Sequence, residues 1–290
     1  MAERLTGIVT DGAADMLRND VLEKDFYIRG EDVLVVPINI LFEKDSYETG
    51  IDLTTERFRE LIKERKVIPT TSIPNEERFC DAYNELVNRQ NLDVVSIHVG
   101  SKLSGTRDMA EGVAKKYNGR VSVVDSGTVS MAQGLMVIEA EKMAAKGATK
   151  EKILEMLTEM KERTTLRAVI PNLDYVKRSG RLNVTQLYAG KMLGLIGIAQ
   201  IDNNISTTAK KIIGNRRTIN WLTDYATQEG KNVPKRVVLL DYGARQFSED
   251  LKQRLIVKGK VPENRINLGE LGPVTSSHGG PGTVGMSVLR

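Results

Sequence analysis

The sequence contains very few of the residues that build metal sites and disulfide frameworks. Its 290 residues include one cysteine, Cys80, and two histidines, His98 and His278. A single cysteine excludes an intrachain disulfide and a cysteine metal site. Two histidines leave a histidine-rich metal centre without enough ligands. We therefore expect a protein that works without a metal ion or another cofactor.

Aromatic residues and long apolar runs are also scarce. Aromatic side chains make up 5% of the chain and the net charge is only +4, so we expect no nucleic-acid partner. No apolar run approaches the roughly 18 residues that a membrane span needs. The N-terminal segment MAERLTGIVTDG lacks the apolar core of a signal peptide. The sequence predicts a cytoplasmic protein without integral membrane contact.

The chain does contain short β-branched runs that alternate with helical patterns. The runs GIVTDG, VLVVPI, VVSIHVG and VSVVDSG each end in turn-forming residues, as buried strands of a parallel sheet do. Between them, apolar residues recur with the i, i+3, i+4, i+7 spacing of amphipathic helices. A second series of strands and helices runs from LRAVI to TVGMSVLR. We predict an α/β domain with a mostly parallel sheet flanked by helices over 1–163, an α/β domain with a mixed sheet over 164–290, and a ligand site at their interface.

The segment GPVTSSHGGPGTVG (272–285) contains the spacing G-x-G-x-x-G, which is typical of dinucleotide-binding loops. In such a site the glycines open a helix, and a second strand and a ribose-binding acid follow. Only Met286 to Arg290 follow Gly285, so we reject the nucleotide interpretation. A polar loop that carries His278 needs another explanation.

Hydroxyl-bearing residues gather in three segments that are expected to follow strands: PTTSIP (69–74), GSKLSGT (100–106) and TSSH (275–278). Hydroxyls at the start of a helix often only cap it. Together with free backbone N–H groups they also bind anions. Three such segments, the last with a histidine, favour one shared anion site. These three segments contain Thr71, Ser72, Ser104, Gly105 and His278.

A serine-type acyl hydrolase is the alternative. Ser104 or Ser72 would be the nucleophile and His278 the base. No G-x-S-x-G nucleophile elbow occurs in the chain, which disfavours this hypothesis. A DNA-binding or purely regulatory protein is a third hypothesis, which salt-sensitive retention on DNA would test.

Six segments, taken in order, resemble the DegV family of bacterial fatty-acid-binding proteins. They are IVTDGAADM, TTSIP, SIHVGSKLSGT, VSVVDSGTVSMAQG, LDYVKRSGRLN and GPVTSSHGGPGTVG. The resemblance implies a non-enzymatic lipid-binding protein with one long-chain fatty acid in an apolar tunnel. Thr71, Ser104 and His278 match the family's carboxylate-binding residues, and Arg181 matches an arginine near that site. In some members a separate fatty-acid kinase converts the presented acid to an acyl phosphate, and Arg217 matches an arginine implicated in docking it.

Further expectations concern the opening segment, the membrane surface, the tunnel walls and His98. Gly12 and Ala13 replace the family's usual Ser-Thr after Asp11, so no ligand role is carried over to the opening segment. We expect at most transient contact with a membrane surface, during ligand exchange. The candidate tunnel walls are apolar residues, most of which we expect to belong to an ordinary core: Ile38, Ile40, Leu41, Phe42, Leu193, Leu195, Ile196 and Ile198. His98 lies within a strand pattern and is predicted to be a packed core residue.

Overall fold

The computed structural model describes residues 3–16, 33–181, 195–228 and 230–290. The strands are β1 (Thr6–Asp11), β2 (Val33–Val36), β3 (Asn39–Phe42), β4 (Asp45–Glu48), β5 (Thr70–Ser72), β6 (Asp93–His98), β7 (Val121–Asp125), β8 (Thr164–Ile170), β9 (Leu195–Asp202), β10 (Ile205–Ile213), β11 (Arg236–Asp241), β12 (Ile266–Glu270) and β13 (Val284–Leu289). The helices are α1 (Thr55–Arg65), α2 (Glu76–Tyr83), α3 (Thr106–Ala114), α4 (Met131–Ala144), α5 (Lys150–Arg163), α6 (Leu173–Ser179), α7 (Asn215–Ala226), α8 (Arg245–Val257) and α9 (Pro273–Gly279).

The first sheet is parallel, with strand order β2-β1-β6-β7. Val9 and Val94 face α2 and α3, whereas Ile8 and Val95 face α4 and α5. Helices cover both faces, which is why these strands are apolar throughout. The predicted parallel α/β architecture is confirmed.

The second sheet is mixed, with strand order β10-β9-β8-β13-β11-β12. Strands β11 and β12 are parallel and the other pairs are antiparallel. Helices α7 and α8 pack on one face through Leu222 and Leu251. Val238 and Leu240 on the other face share a core with α4 and α5, so these helices lie between the two sheets. The predicted mixed sheet is confirmed and begins at Thr164. The domain division at 163 and 164 stays a prediction.

A small antiparallel sheet, ordered β4-β3-β5, corrects one expectation. Thr70–Ser72 was expected to follow a parallel strand, but it is itself edge strand β5, with Thr71 paired to Ile40 of β3. Two β-branched threonines favour an extended backbone, and their partly exposed side chains suit a sheet edge. Prolines 69 and 74 bound this short strand.

The segment that carries His278 also differs from expectation, because it forms α9 rather than a loop. Pro273 occupies the first turn, where its missing N–H costs nothing. The helix ends before Gly280, whose φ of 76° is readily accessible to glycine. Among the described helices, none is both long and apolar enough to cross a membrane.

Candidate functional site

A mostly apolar cavity lies between the mixed sheet, the edge strand β5 and the starts of α3 and α4. Its empty volume is about 1040 Å³, counting space that opens to solvent at its mouth. Its apolar lining includes Val99, Leu103, Val129, Leu166, Ile170 and Ile201.

The predicted anion-binding residues all line this cavity, although they come from widely separated segments. They are Thr71, Ser72, Ser104, Gly105, Arg181 and His278. The closest link joins β5 to α9, where Thr71 Oγ1 lies 3.2 Å from His278 Nε2. The fold therefore brings together the residues that sequence reasoning placed in one site.

His278 lies in the last turn of α9 and is half-buried, because its ring faces the cavity. Burial lowers the pKa of His278 to about 4, and the positive charge of Arg181 lowers it further. The imidazole is therefore neutral at pH 7 and donates a hydrogen bond through a single nitrogen.

Ser104 both caps a helix and faces the cavity, the two roles that the sequence analysis left open for such hydroxyls. Its Oγ accepts a hydrogen bond from the Thr106 backbone N–H at the start of α3 and lies 2.8 Å from Thr106 Oγ1. It also lines the cavity. Within the part of the chain that the structure describes, no hydrogen bond joins His278 to Ser104 or Ser72.

Arg181 brings a permanent positive charge to the rim of the cavity. Helix α6 ends at Gly180, which has a φ of 65°, and this turn directs the next residue toward the 100–106 segment. Arg181 Nε donates to the Leu103 carbonyl at 3.4 Å, and Nη1 donates to the Ser179 carbonyl at 2.6 Å. The guanidinium is thereby held at the carbonyl of Leu103, the residue that precedes Ser104.

Asp15 was missed in the sequence. It is buried and accepts hydrogen bonds from Ser130 Oγ (2.6 Å), Thr275 Oγ1 (2.9 Å) and the Gly272 N–H (3.1 Å). Ser130 and Thr275 line the cavity. Burial outweighs these hydrogen bonds and raises the pKa of Asp15 to about 7. The available signal was a second acid in IVTDGAADM, four residues after Asp11.

His98 is a buried structural residue, as predicted. Its Nδ1 lies 2.9 Å from Asp11 Oδ2, and its Nε2 lies 2.7 Å from Ser96 Oγ. Asp11 Oδ2 also accepts from the Val99 N–H. This network anchors the end of β6, from which the segment that carries Ser104 continues.

The predicted tunnel walls are only partly correct, because core and cavity residues have the same apolar character. Ile38 lines the cavity. Ile40 and Phe42 instead pack in the core around Phe58, and Ile198 packs toward α7 and α8. Leu193 lies outside the described residues. Arg217 lies exposed in the first turn of α7 and does not line the cavity.

Comparison with known proteins identifies the family. The family model described as "DegV: Uncharacterised protein, DegV family" matches residues 6–290. The chain belongs to the DegV family. A DegV domain-containing protein of Caldanaerobacter subterraneus is 28% identical over 287 residues, which are 96% of each chain.

Solved DegV structures share the fold. A DegV family protein from Thermus thermophilus, described by its fatty acid binding, is 28% identical with a TM-score of 0.86. The match covers 99% of this chain and 100% of that one. A DegV lipid binding protein from Thermotoga maritima has a TM-score of 0.82 over 98% of both chains. At 24% identity, the second match supports the fold alone.

Proposed function

We propose that this DegV protein binds one long-chain fatty acid in the cavity and carries it without chemical conversion. The carboxylate lies against Thr71, Ser72, Ser104, Gly105, His278 and Arg181, and the acyl chain follows the apolar lining. The observation that carries the proposal is the convergence of these separated polar residues on an otherwise apolar cavity. The described fatty acid binding of the Thermus thermophilus relative supports it.

The chemistry of the cavity suits this ligand. A carboxylate accepts hydrogen bonds from hydroxyls, backbone N–H groups and an imidazole N–H. Each hydrogen bond to the charged group contributes about 1.5–3 kcal/mol. Each buried methylene contributes about 0.8 kcal/mol, so an acyl chain of about fifteen carbons contributes roughly 12 kcal/mol before the cost of association. The acyl chain therefore supplies most of the affinity, and the polar residues orient it.

Native mass spectrometry of the purified protein, followed by organic extraction, tests the proposal. We expect a stoichiometric mass increment that extracts as a fatty acid. A bare protein that also fails to take up added fatty acids would overturn it.

A fluorophosphonate probe separates the carrier from the hydrolase. We expect no covalent labelling of Ser104 or Ser72, because neither serine is hydrogen-bonded to a base in the described structure. The measurement is the intact mass after incubation, with a known serine hydrolase as positive control. Stoichiometric labelling that disappears in Ser104→Ala or Ser72→Ala would favour the hydrolase.

We further propose that the bound acid is presented to a fatty-acid kinase, with Arg217 in the docking surface. Arg217→Ala should leave fatty-acid affinity unchanged, because Arg217 does not line the cavity. It should lower acyl-phosphate formation with a partner kinase about tenfold, the effect of losing an arginine anchor. The matched control is Arg89→Ala, an exposed arginine at the end of the helical segment Asn84–Arg89 that follows α2. Equal turnover in both variants would remove Arg217 from the interface.

A further inference from the structure

The glycines of the G-x-G-x-x-G segment differ in what the structure requires of them. Gly280 has a φ of 76°, and a Cβ there would lie 2.6 Å from Tyr175 Cδ2. Gly282 has a φ of 87°, and a Cβ there would lie 2.8 Å from Pro171 Cγ. Backbone conformation and close packing therefore account for both glycines. Neither reason applies to the third, Gly285.

Gly285 lies in β13 with a φ outside the left-handed region. The nearest atoms to an added Cβ are Leu166 Cδ1 at 3.7 Å and Leu271 Cδ2 at 3.8 Å, which are ordinary van der Waals contacts. A Cβ at this position is therefore compatible with the backbone and the immediate neighbours. Gly285 is nevertheless buried and lines the cavity. Its missing side chain leaves empty space inside the cavity.

The empty space beside Gly285 lies over the pair of strands β13 and β8. Gly285 pairs with Ala168 on β8, and Ala168 also lines the cavity. Residues two positions away along β8 share its face, and these are the larger Leu166 and Ile170. The two small residues form a depression in the sheet between larger apolar side chains.

This depression lies away from His278. Leu271, which would contact a Cβ at Gly285, immediately precedes the turn into α9, whereas His278 lies in the last turn of that helix. Pro273 and His278 lie five residues apart on α9, which is about 7.5 Å at the helical rise. A fatty acid with its carboxylate at His278 therefore reaches Gly285 with its acyl chain, not with its head group.

We propose that Gly285 determines the length of the acyl chain that this protein accepts. The inference rests on the proposed fatty-acid binding. The absent side chain leaves room for methylenes beside Leu166 and Leu271, and each added carbon at position 285 removes part of that room. Larger side chains there shift the preference to shorter fatty acids.

The test compares Gly285→Ala and Gly285→Val with the wild type for octanoic acid, whose short chain ends near Gly285, and octadecanoic acid, whose chain passes it. Gly285→Val should lower the affinity ratio of the longer to the shorter acid about tenfold, and Gly285→Ala about threefold, if they exclude roughly two methylenes and one. The matched control is Gly112→Val, because a Cβ at Gly112 has no heavy atom within 4 Å and this residue is exposed on α3. Its ratio should equal that of the wild type.

The outcomes separate the two proposals. If the wild type binds both acids and both Gly285 variants keep its affinity ratio, the role of Gly285 is overturned. The proposed fatty-acid binding is then unaffected. An equal loss of affinity for both acids would overturn the role of Gly285 as well. A folded wild type that binds neither acid would overturn the proposed function itself. The smaller Ala substitution keeps the test decisive if the Val variant does not fold.

Discussion

Replacing His278 by Ala is expected to lower the affinity for a long-chain fatty acid by roughly ten- to hundredfold, because a hydrogen bond to the charged carboxylate is lost. The pKa of His278 is lowered to about 4, so the neutral imidazole supplies a donor and no net charge at pH 7. Its Nε2 lies 3.2 Å from Thr71 Oγ1, so the ring also orients a second donor. Isothermal titration with hexadecanoic acid measures the change.

The methyl ester of the same acid is the control ligand, because it keeps the acyl chain and loses the charge. The wild type should bind the acid more tightly than the ester, and His278→Ala should lose most of this preference. Thr71→Val and the double variant complete a mutant cycle, in which coupling is expected because the two side chains are in contact. If His278→Ala keeps the wild-type preference for the acid, His278 does not bind the carboxylate.

The sequence predicted the α/β architecture because local patterns determine it. β-Branched runs and helical spacing are read within ten residues, and the runs GIVTDG, VVSIHVG and VSVVDSG correspond to β1, β6 and β7. Strand β5 was missed because Thr71 pairs with Ile40, thirty-one positions earlier in the chain. Helix α9 was missed because PVTSSHG has low intrinsic helix propensity. Its N-terminal turn is held by Asp15, which is remote in sequence.

The site residues, too, were predicted where a local motif contains them and missed where their partners are remote in the sequence. Thr71, Ser104 and His278 were found through motifs that the family shares, not through any pattern that places them together. Asp15 was missed because its partners Ser130 and Thr275 lie 115 and 260 positions away. Gly285 was read as part of a glycine motif. Only the positions of neighbouring side chains distinguish a glycine required by the backbone from one that leaves a cavity open.

Replacing Asp15 by Asn is expected to stabilise the protein at pH 8 and to leave its stability unchanged at pH 4. Burial raises the pKa of Asp15 from its ordinary value of 3.8 to about 7. Between these pH values the folded state binds more protons than the unfolded state, so this group makes the free energy of unfolding fall as pH rises. A shift of about three units corresponds to at most roughly 4 kcal/mol. Asn removes this cost because it never ionises.

Asn also fits the contacts of Asp15. Its Oδ1 accepts from the Gly272 N–H, and its amide donates to the hydroxyl oxygens of Ser130 and Thr275, which both turn to accept. We therefore expect a gain of about 2–4 kcal/mol at pH 8, measured by urea unfolding from pH 4 to pH 8.

The difference in the free energy of unfolding between the wild type and Asp15→Asn reports on Asp15 alone, because the other titrating groups are present in both proteins. His278 is the nearest example on α9, and its lowered pKa acts in the opposite sense, since stability is lost as pH falls from about 6.5 to about 4. The control is Asp108→Asn, an exposed carboxylate on α3, whose stability difference should not depend on pH in this way. Parallel stability curves for wild type and Asp15→Asn would mean that Asp15 is ionised throughout. The three hydrogen bonds of Asp15, rather than its burial, would then determine its pKa. Asp15 would bind the start of α9 as a charged carboxylate.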